Sequence, residues 1–453
     1  MRILLLDHPQ HTSGTWVLYE GLKRVLGWEA LVVFPRKESL HGRNHDLMTT
    51  QWYRDVYQDI ADGYDLPRGI PPLAPGESLT TNDERLISCF AVPNPSITPD
   101  PQREYGEEEV IAELDAGRFD LVVLGNSHRV PTIALARLRD RCRQLPPVVY
   151  LDAGERDEHC SHWTHAFRPA LVFKQILTPA VERQYRSDFK DLHVPLKLWP
   201  LPLANAFTHH PSLSPNIRAV LDAPVAPRQH DVFSHFGWTW HERNELQARV
   251  LKKVSELGAS LSGPGKAGFF EEMYEQYLAD ERAADERAAG SADPDTRAQF
   301  NRNVFAPYFV VLSRSRIGVS MRGSGRDTDR YWDIPAFGPA LLADGTMGCV
   351  HPHPHRDGET AVFYRTYEEM ERKLEWLVRD EGARVAISAA GREHARRFHC
   401  VEARALFFLA IVRQVTGVGD ARLPQAEAWR ARLGWGSELP EWHGPAVGFG
   451  DGA

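Results

Sequence analysis

The amino-acid sequence predicts an α/β protein built from two Rossmann-like domains in tandem. Short apolar runs alternate with amphipathic helical stretches, which is the order of a parallel sheet. The alternation starts at residue 1, fades near residue 205 and restarts at about residue 231. The chain has 453 residues, room for two large domains or about three of roughly 150 residues.

Met1–Leu6 reads as a buried first strand. Trp16–Leu26 reads as a helix, with Val17, Leu18, Leu22, Val25 and Leu26 at helical spacing and Gly27 as its C-cap. Ser13, Gly14 and Thr15 read as the loop between them, and Ala30–Phe34 as a second strand. From about 35 to 105 the chain is irregular and rich in Pro, Asp and aromatics, an insertion with one short strand at Leu86–Val92. Glu107–Ala116 and Pro131–Arg143 read as helices, and Asp120–Leu124 and Pro147–Leu151 as strands, the latter ending at Asp152. Ala170–Leu177 and Leu196–Leu203 continue the alternation.

The second half opens with a strand at Asp231–Phe236 and a helix over Arg243–Leu257. A short strand at Ala259–Leu261 leads to the loop that carries Lys266. Phe269–Ala289 is a charged helical stretch whose ADERAADERAA near-repeat reads as a solvated face. Arg316–Met321 and Ala340–Ala343 read as strands. Tyr367–Arg379, Val385–Arg397 and the strongly apolar Val401–Val415 read as helices. The expected division is 1–205, 206–400, and a helix and tail over 401–453.

Lys+Arg number 53 against 61 Asp+Glu, a formal net charge of -8. That disfavours a chain whose main task is coating a nucleic-acid backbone. A local basic pocket for a phosphate-bearing ligand stays open. The five cysteines form no CxxC pair and read as reduced intracellular thiols. The N-terminal apolar run is too short for a secretory signal. No run approaches the ~18 apolar residues of a membrane helix. The expectation is a cytoplasmic protein without a transmembrane segment.

One stretch carries a family resemblance. Ser313–Asp344, SRSRIGVSMRGSGRDTDRYWDIPAFGPALLAD, resembles the donor-binding segment of GT-B glycosyltransferases. It is similar to the group-1 type related to spore-maturation glycosyltransferases. The shared order is a strand, a polar loop, an Arg-aromatic-aromatic-acid cluster (here Arg330-Tyr331-Trp332-Asp333), a helix, a small-residue turn and an apolar strand. VFYRTYEEMERKLEWLVRD followed by AISAAGREHARRFHCVEAR resembles the closing pattern of these enzymes. DVFSHFGWTWHERNELQARVLKKV resembles the start of their donor domain, and LDAGERDEHCSHWTHAF with LVFKQIL part of their acceptor domain.

The resemblance implies the GT-B fold, two tandem Rossmann-like domains with an interdomain cleft. Residues 1–205 then serve the acceptor, 206–400 bind a nucleotide-diphosphate sugar, and 401–453 cross back to the N-terminal domain. It implies a glycosyltransferase acting on an unidentified acceptor, with no cofactor and no metal required. Asp333 matches a position that is commonly Glu in the family and accepts the ribose hydroxyls. Eight positions earlier, where retaining relatives often carry a second Glu, this chain has Gly325, so a retaining outcome is not implied.

Residue chemistry points the same way. Glycine-rich loops and helix N-termini offer backbone N–H groups to a diphosphate, and arginine offers a planar donor fork. Arg322, Gly323, Gly325, Arg326, Arg330 and Asp333 cluster at one strand end, with Arg243 and Lys266 as further donor-side candidates. Ser13, Gly14 and Thr15 form a candidate acceptor or phosphate loop. Asp152 and His11 are candidate bases for the acceptor hydroxyl.

Each motif has a blander reading. Asp333 also suits a helix first turn, and Arg330 could pair with Asp327 or Asp333. Asp327-Thr328-Asp329 has the DxD spacing of a metal-binding pair, but it occurs often by chance and the two-domain pattern is not that of a GT-A enzyme. His351, His353 and His355 alternate as ligands would, but the intervening prolines suggest a loop that splays them. Trp238 and Trp240 suit stacking on a ring or loop packing. Three alternatives keep the domain pattern: a nucleotide-sugar epimerase or phosphorylase-like enzyme, a non-catalytic nucleotide-sugar-binding protein, and a nucleic-acid-modifying glycosyltransferase.

Overall fold

A computed structural model describes residues 1–7, 13–36, 100–101, 103–125, 129–153, 169–188, 197–205, 230–234, 241–262, 311–323, 325–419 and 424–435. The chain divides into two compact units. The first takes in Met1–Leu203, Cys349–Pro352 and Val401–Ala453, and the second Ala204–Gly348 and His353–Cys400. The expected strand at Leu86–Val92, the charged stretch Phe269–Ala289, and Trp238 and Trp240 lie outside the described residues.

The first unit contains β1 (Ile3–Leu6), α1 (Ser13–Leu26), β2 (Leu31–Phe34), α2 (Glu107–Asp115), β3 (Leu121–Gly125), α3 (Arg129–Arg141), β4 (Val148–Asp152), β5 (Leu171–Lys174), α4 (Pro179–Asp188) and β6 (Leu198–Pro200). Its strands form one sheet in the order β2-β1-β3-β4-β5-β6. Every pairing is parallel, with Ile3 registered on both Leu31 and Leu121. The strands ILLL, LVVF and LVVLG are buried end to end, as expected where helices cover both faces of a parallel sheet. Packed against these strands are Val110, Leu114, Ile133, Leu138, Val181 and Tyr185 of the helices.

Helix α1 begins at Ser13. Ser13, Gly14 and Thr15 are therefore its first turn, not the loop the sequence suggested. Thr15 is fully buried. A Cβ on Gly14 would stand 2.6 Å from Gln175 Oε1 and 2.9 Å from Ala153 Cβ. Glycine is needed there because the helix start presses on the ends of β4 and β5.

The last helices, α9 (Val401–Thr416) and α10 (Pro424–Arg432), belong to this unit. α9 is buried along most of its length and packs along α1. Buried charges join the two helices. Arg24 Nε donates to Glu20 at 2.8 Å, and Nη1 donates to Glu402 at 2.9 Å. Lys23 lies 2.9 Å from Glu20 and 3.4 Å from Asp100. Burial pulls the Arg24 guanidinium down, but Glu20 and Glu402 more than offset it and hold it above its ordinary value. Deeper in, the Arg404 guanidinium donates to the carbonyls of Pro202 and Leu203.

The second unit contains β7 (His230–Phe233), α5 (His241–Glu256), β8 (Leu261–Ser262), β9 (Ser315–Ser320), α6 (Asp329–Phe337), β10 (Ala340–Asp344), β11 (Val362–Tyr364), α7 (Tyr367–Arg379) and α8 (Glu381–Phe398). Its parallel sheet has the order β11-β10-β9-β7-β8. Leu246, Val250 and Val254 of α5 join Met370, Leu374 and Leu377 of α7 and Ile387 of α8 against Val232, Ile317, Val319 and Leu342 of the strands. Each unit thus has a parallel sheet with helices, the tandem Rossmann-like pattern expected from the sequence. Among the described residues, no helix is long and apolar enough to cross a membrane.

Removing Arg24 would leave Glu20 and Glu402 facing each other in the core. An unmatched charge of this kind costs about 3–5 kcal/mol. Arg24→Met is therefore expected to lower the urea midpoint by that order of free energy. Arg24→Met combined with Glu402→Met is expected to recover part of the loss. Equal midpoints for wild type and Arg24→Met would show that the network carries no such weight.

Candidate functional site

The strand order of the second unit gives a candidate place for a ligand. Among the described strands, the sheet grows from β7 to β8 in one direction and from β7 through β9 to β11 in the other. In an open doubly wound sheet, ligands bind outside the carboxyl ends of the strands at this reversal. Here that is the end of β7 beside the end of β9.

Four residues singled out in the sequence meet at that point. Arg243 lies in the first turn of α5 and is 8% exposed. Its Nε donates to the carbonyl of Arg322, just past β9, at 3.0 Å. Its guanidinium lies against Gly323, where any Cβ would collide with it. Gly323 N–H donates to the Gly325 carbonyl at 2.9 Å, which closes the loop into a tight turn. Arg322 is partly exposed, with Nε 3.9 Å from Asp344 Oδ2.

The adjoining strand end is organised as well. Asp344, the last residue of β10, accepts from Thr346 N–H at 2.8 Å and from Thr346 Oγ1 at 2.6 Å. Arg326 Nη1 donates to the Thr346 carbonyl at 3.3 Å. Tyr364, from β11, donates its hydroxyl to the Ser320 carbonyl at 3.2 Å. Burial first, and then Asp344, push that phenol well above its ordinary value, so it stays a neutral donor. The sequence reading passed over Asp344, Thr346 and Tyr364. Their signal was a polar residue at the end of an apolar strand, twice over.

Asp333, which the resemblance gives to the ribose hydroxyls, sits on α6. Helix α6 starts at Asp329, which leaves Arg330 in its first turn and carries Asp333 one turn deeper. Asp333 is buried, and its Oδ1 accepts from Asn205 Nδ2 at 2.9 Å. Burial, then the nearby Asp329, raise its carboxyl well above the usual carboxylate range, against the pull of Asn205 and Arg330. Its contact with Asn205 holds Asp333 in the interior. Asn205 in turn is fixed by its N–H on the His399 carbonyl at 2.8 Å.

Asp327 accepts from the Trp332 indole N–H at 2.7 Å and is 5% exposed, whereas Asp329 is exposed at the helix start. The DxD pair is thus divided between the core and the surface.

In the first unit, Asp152 is 1% exposed. Lys174 Nζ donates to its Oδ1 at 2.9 Å and Tyr185 Oη to its Oδ2 at 2.5 Å. With both oxygens held in the core, Asp152 cannot be the solvent-facing base the sequence suggested. It ties β4 to β5 and α4. His11 and Lys266 lie outside the described residues, as does the side chain of Ser13. A cavity of about 670 Å³ lies at the amino ends of β4 and β5, lined by Leu135, Cys142, Val148 and Ala170 among others. That is the opposite end of the sheet from any strand-end crevice.

The three alternating histidines part company. His351 is buried in the first unit, where burial, and secondarily Arg404, lower its pKa to about 3. His353 has φ 51° and stacks on Phe398 at 4.3 Å. His355 sits among residues of α8. The left-handed turn at His353 replaces the extended run that would have aligned them.

Residues 269–410 match the family model described as "Glycosyl transferase-like". The matched segment holds the loop from Arg322 to Asp333. No curated protein sequence matches the chain. Among solved structures, HepE from Anabaena in complex with UDP is similar at 11% identity, covering 91% of this chain and 100% of that one, with a TM-score of 0.44. Sucrose-phosphate synthase from Thermosynechococcus elongatus is similar at 12% identity, over 92% and 99% of the two chains, with a TM-score of 0.38. A putative UDP-N-acetylglucosamine 2-epimerase from Listeria monocytogenes is similar at 12% identity, over 93% and 98%, with a TM-score of 0.40.

His351 makes stability depend on pH. Its folded pKa of about 3 lies below the ordinary 6.5, so below pH ~6.5 the unfolded chain binds the extra proton. Its contribution is complete above about pH 6.5 and is lost as pH falls toward 3. Urea midpoints between pH 7 and 4.5 are expected to fall more steeply for wild type than for His351→Gln. Parallel slopes would contradict the assignment.

Proposed function

We propose that the chain transfers a sugar from a nucleotide-diphosphate donor to an acceptor, with the donor diphosphate held at the carboxyl ends of β7 and β9. The observation that carries this reading is the buried Arg243 guanidinium, fixed on the Arg322 carbonyl and against Gly323. A guanidinium set in place beside a glycine turn suits phosphate oxygens, because its fork is oriented before the ligand arrives. The family match over residues 269–410 supports the same reading.

In glycosyl transfer the anomeric carbon develops positive charge while the diphosphate departs carrying negative charge. Arg243 and Arg322 stabilise that leaving charge, as does the first turn of α6, where Arg330 lies. Cationic side chains in this place supply what a divalent ion would otherwise supply, so we assign the donor step no metal. Lys266 is retained as a further donor contact from the loop after β8. The first unit is assigned to the acceptor, with His11 as the base that takes the hydroxyl proton. Asp333 acts through Asn205 and the α6 start, not on the ribose.

A thermal-shift panel of nucleotides and nucleotide sugars, followed by donor hydrolysis and transfer assays, tests the proposal. At least one nucleoside diphosphate is expected to raise the melting temperature, by ligand linkage to the folded state. No shift with any nucleotide at millimolar concentration would end it. A charged hydrogen bond is worth about 1.5–3 kcal/mol. Arg243→Ala is therefore expected to raise the nucleotide Kd by about 10- to 150-fold. Gly323→Ala pushes the same guanidinium aside, so it should also weaken nucleotide binding. Added Mg²⁺ or Mn²⁺ is expected to leave turnover unchanged.

A further inference from the structure

Three histidines that are distant in sequence meet in the second unit, away from the Arg243–Arg322 contact. They are His355, in the segment before β11, His394, near the end of α8, and His399, just after it. One ligand nitrogen from each lies within 4.8 Å of the other two. The ring centroids form a triangle with sides of 4.9, 4.9 and 4.9 Å. His355 is 5% exposed and His399 is 0% exposed.

We propose that His355, His394 and His399 bind one Zn²⁺ ion, which clamps the end of α8 to the segment before β11. Three imidazoles with an added water make a tetrahedral zinc set, and imidazole selects zinc-like ions over Mg²⁺ or Ca²⁺, which take oxygen ligands. Zn–N bonds of about 2.0–2.1 Å require nitrogens roughly 3.3–3.4 Å apart in that geometry. Rings that already converge within 4.8 Å reach it by side-chain rotations alone.

The outer contacts are those a metal-binding histidine needs. A ligating imidazole commonly uses its other ring nitrogen on a backbone carbonyl or another polar group, which fixes tautomer and orientation. His394 Nε2 meets the His353 carbonyl at 2.8 Å, which gives Nδ1 the metal. His355 Nδ1 meets Thr360 Oγ1 at 3.2 Å, which gives Nε2 the metal. His399 is held by its backbone, its N–H on the Ala395 carbonyl and its carbonyl under Asn205 N–H. Its ring lies 4.7 Å from Trp332. The left-handed turn at His353 is what presents its carbonyl to His394 while His355 turns inward. The ion would sit where α8 ends, with three protein nitrogens and the fourth position left to water.

The test uses the full-length protein, stripped with a chelator, dialysed and titrated with Zn²⁺ against a competing chromophoric chelator. Expected are one tight site per chain and a higher melting temperature on loading. Co²⁺ substitution should give the intense visible bands of a tetrahedral nitrogen site. His394→Gln removes a half-buried ligand and should fold. It is expected to weaken zinc by at least about tenfold, the loss that even an outer-shell change produces. His355→Gln and His399→Gln should do the same. A wild-type chain that takes up no zinc, or zinc affinity equal in wild type and all variants, would overturn the site and leave the triad as aromatic packing. Neither result bears on nucleotide binding, so this proposal and the donor reading stand or fall separately.

Discussion

In the second unit one contact ties a helix start to a strand end, the Arg243 guanidinium on the Arg322 carbonyl just past β9. A buried guanidinium must be hydrogen-bonded or it destabilises the fold. Arg322 lies two residues past the end of β9, where the Gly323 N–H donates to the Gly325 carbonyl. The contact therefore couples the start of α5 to the end of β9 across the place where the strand order reverses. The same geometry favours glycine at 323, because a Cβ would push on the guanidinium. Strand order, helix start and loop composition thus act together at one spot.

In the first unit, the corresponding constraint is charge pairing. α1 and α9 bring Arg24, Glu20, Glu402 and Lys23 into the interior, where each carboxylate meets a cation. Asp152 with Lys174, and Arg404 on two carbonyls, follow the same rule. Such groups look functional in a sequence because they are ionisable residues among apolar ones. Their surroundings show that they hold helices to one another and strands to strands and helices.

Much of the fold was legible because parallel strands buried on both faces are continuous apolar runs, as in LVVF and DLVVL. Helices α5, α7 and α9 were legible from their spacing. Helix α4 and the short α10 were not read, since their mean composition is polar and their burial comes from partners far along the chain. The glycines and arginines after β9 were singled out because a glycine-rich loop at a strand end can present N–H groups and guanidinium forks to a phosphate. Asp333 was not, because its burial depends on Asn205, 128 residues away. The start of α1 was misplaced since a Ser-Gly-Thr run usually signals a turn, and only packing on Ala153 and Gln175 explains a helical glycine there. The histidine triad was hidden for a similar reason. Its members lie on two segments separated by β11 and α7, while the conspicuous His351 belongs to the other unit.

A crystal structure of the protein with a bound nucleoside diphosphate tests the central claim most directly. The account predicts the diphosphate at the carboxyl ends of β7 and β9, with phosphate oxygens within hydrogen-bonding distance of Arg243 and of the Gly323 turn. A diphosphate bound elsewhere, with Arg243 still seated on the Arg322 carbonyl and making no contact to it, would contradict the account.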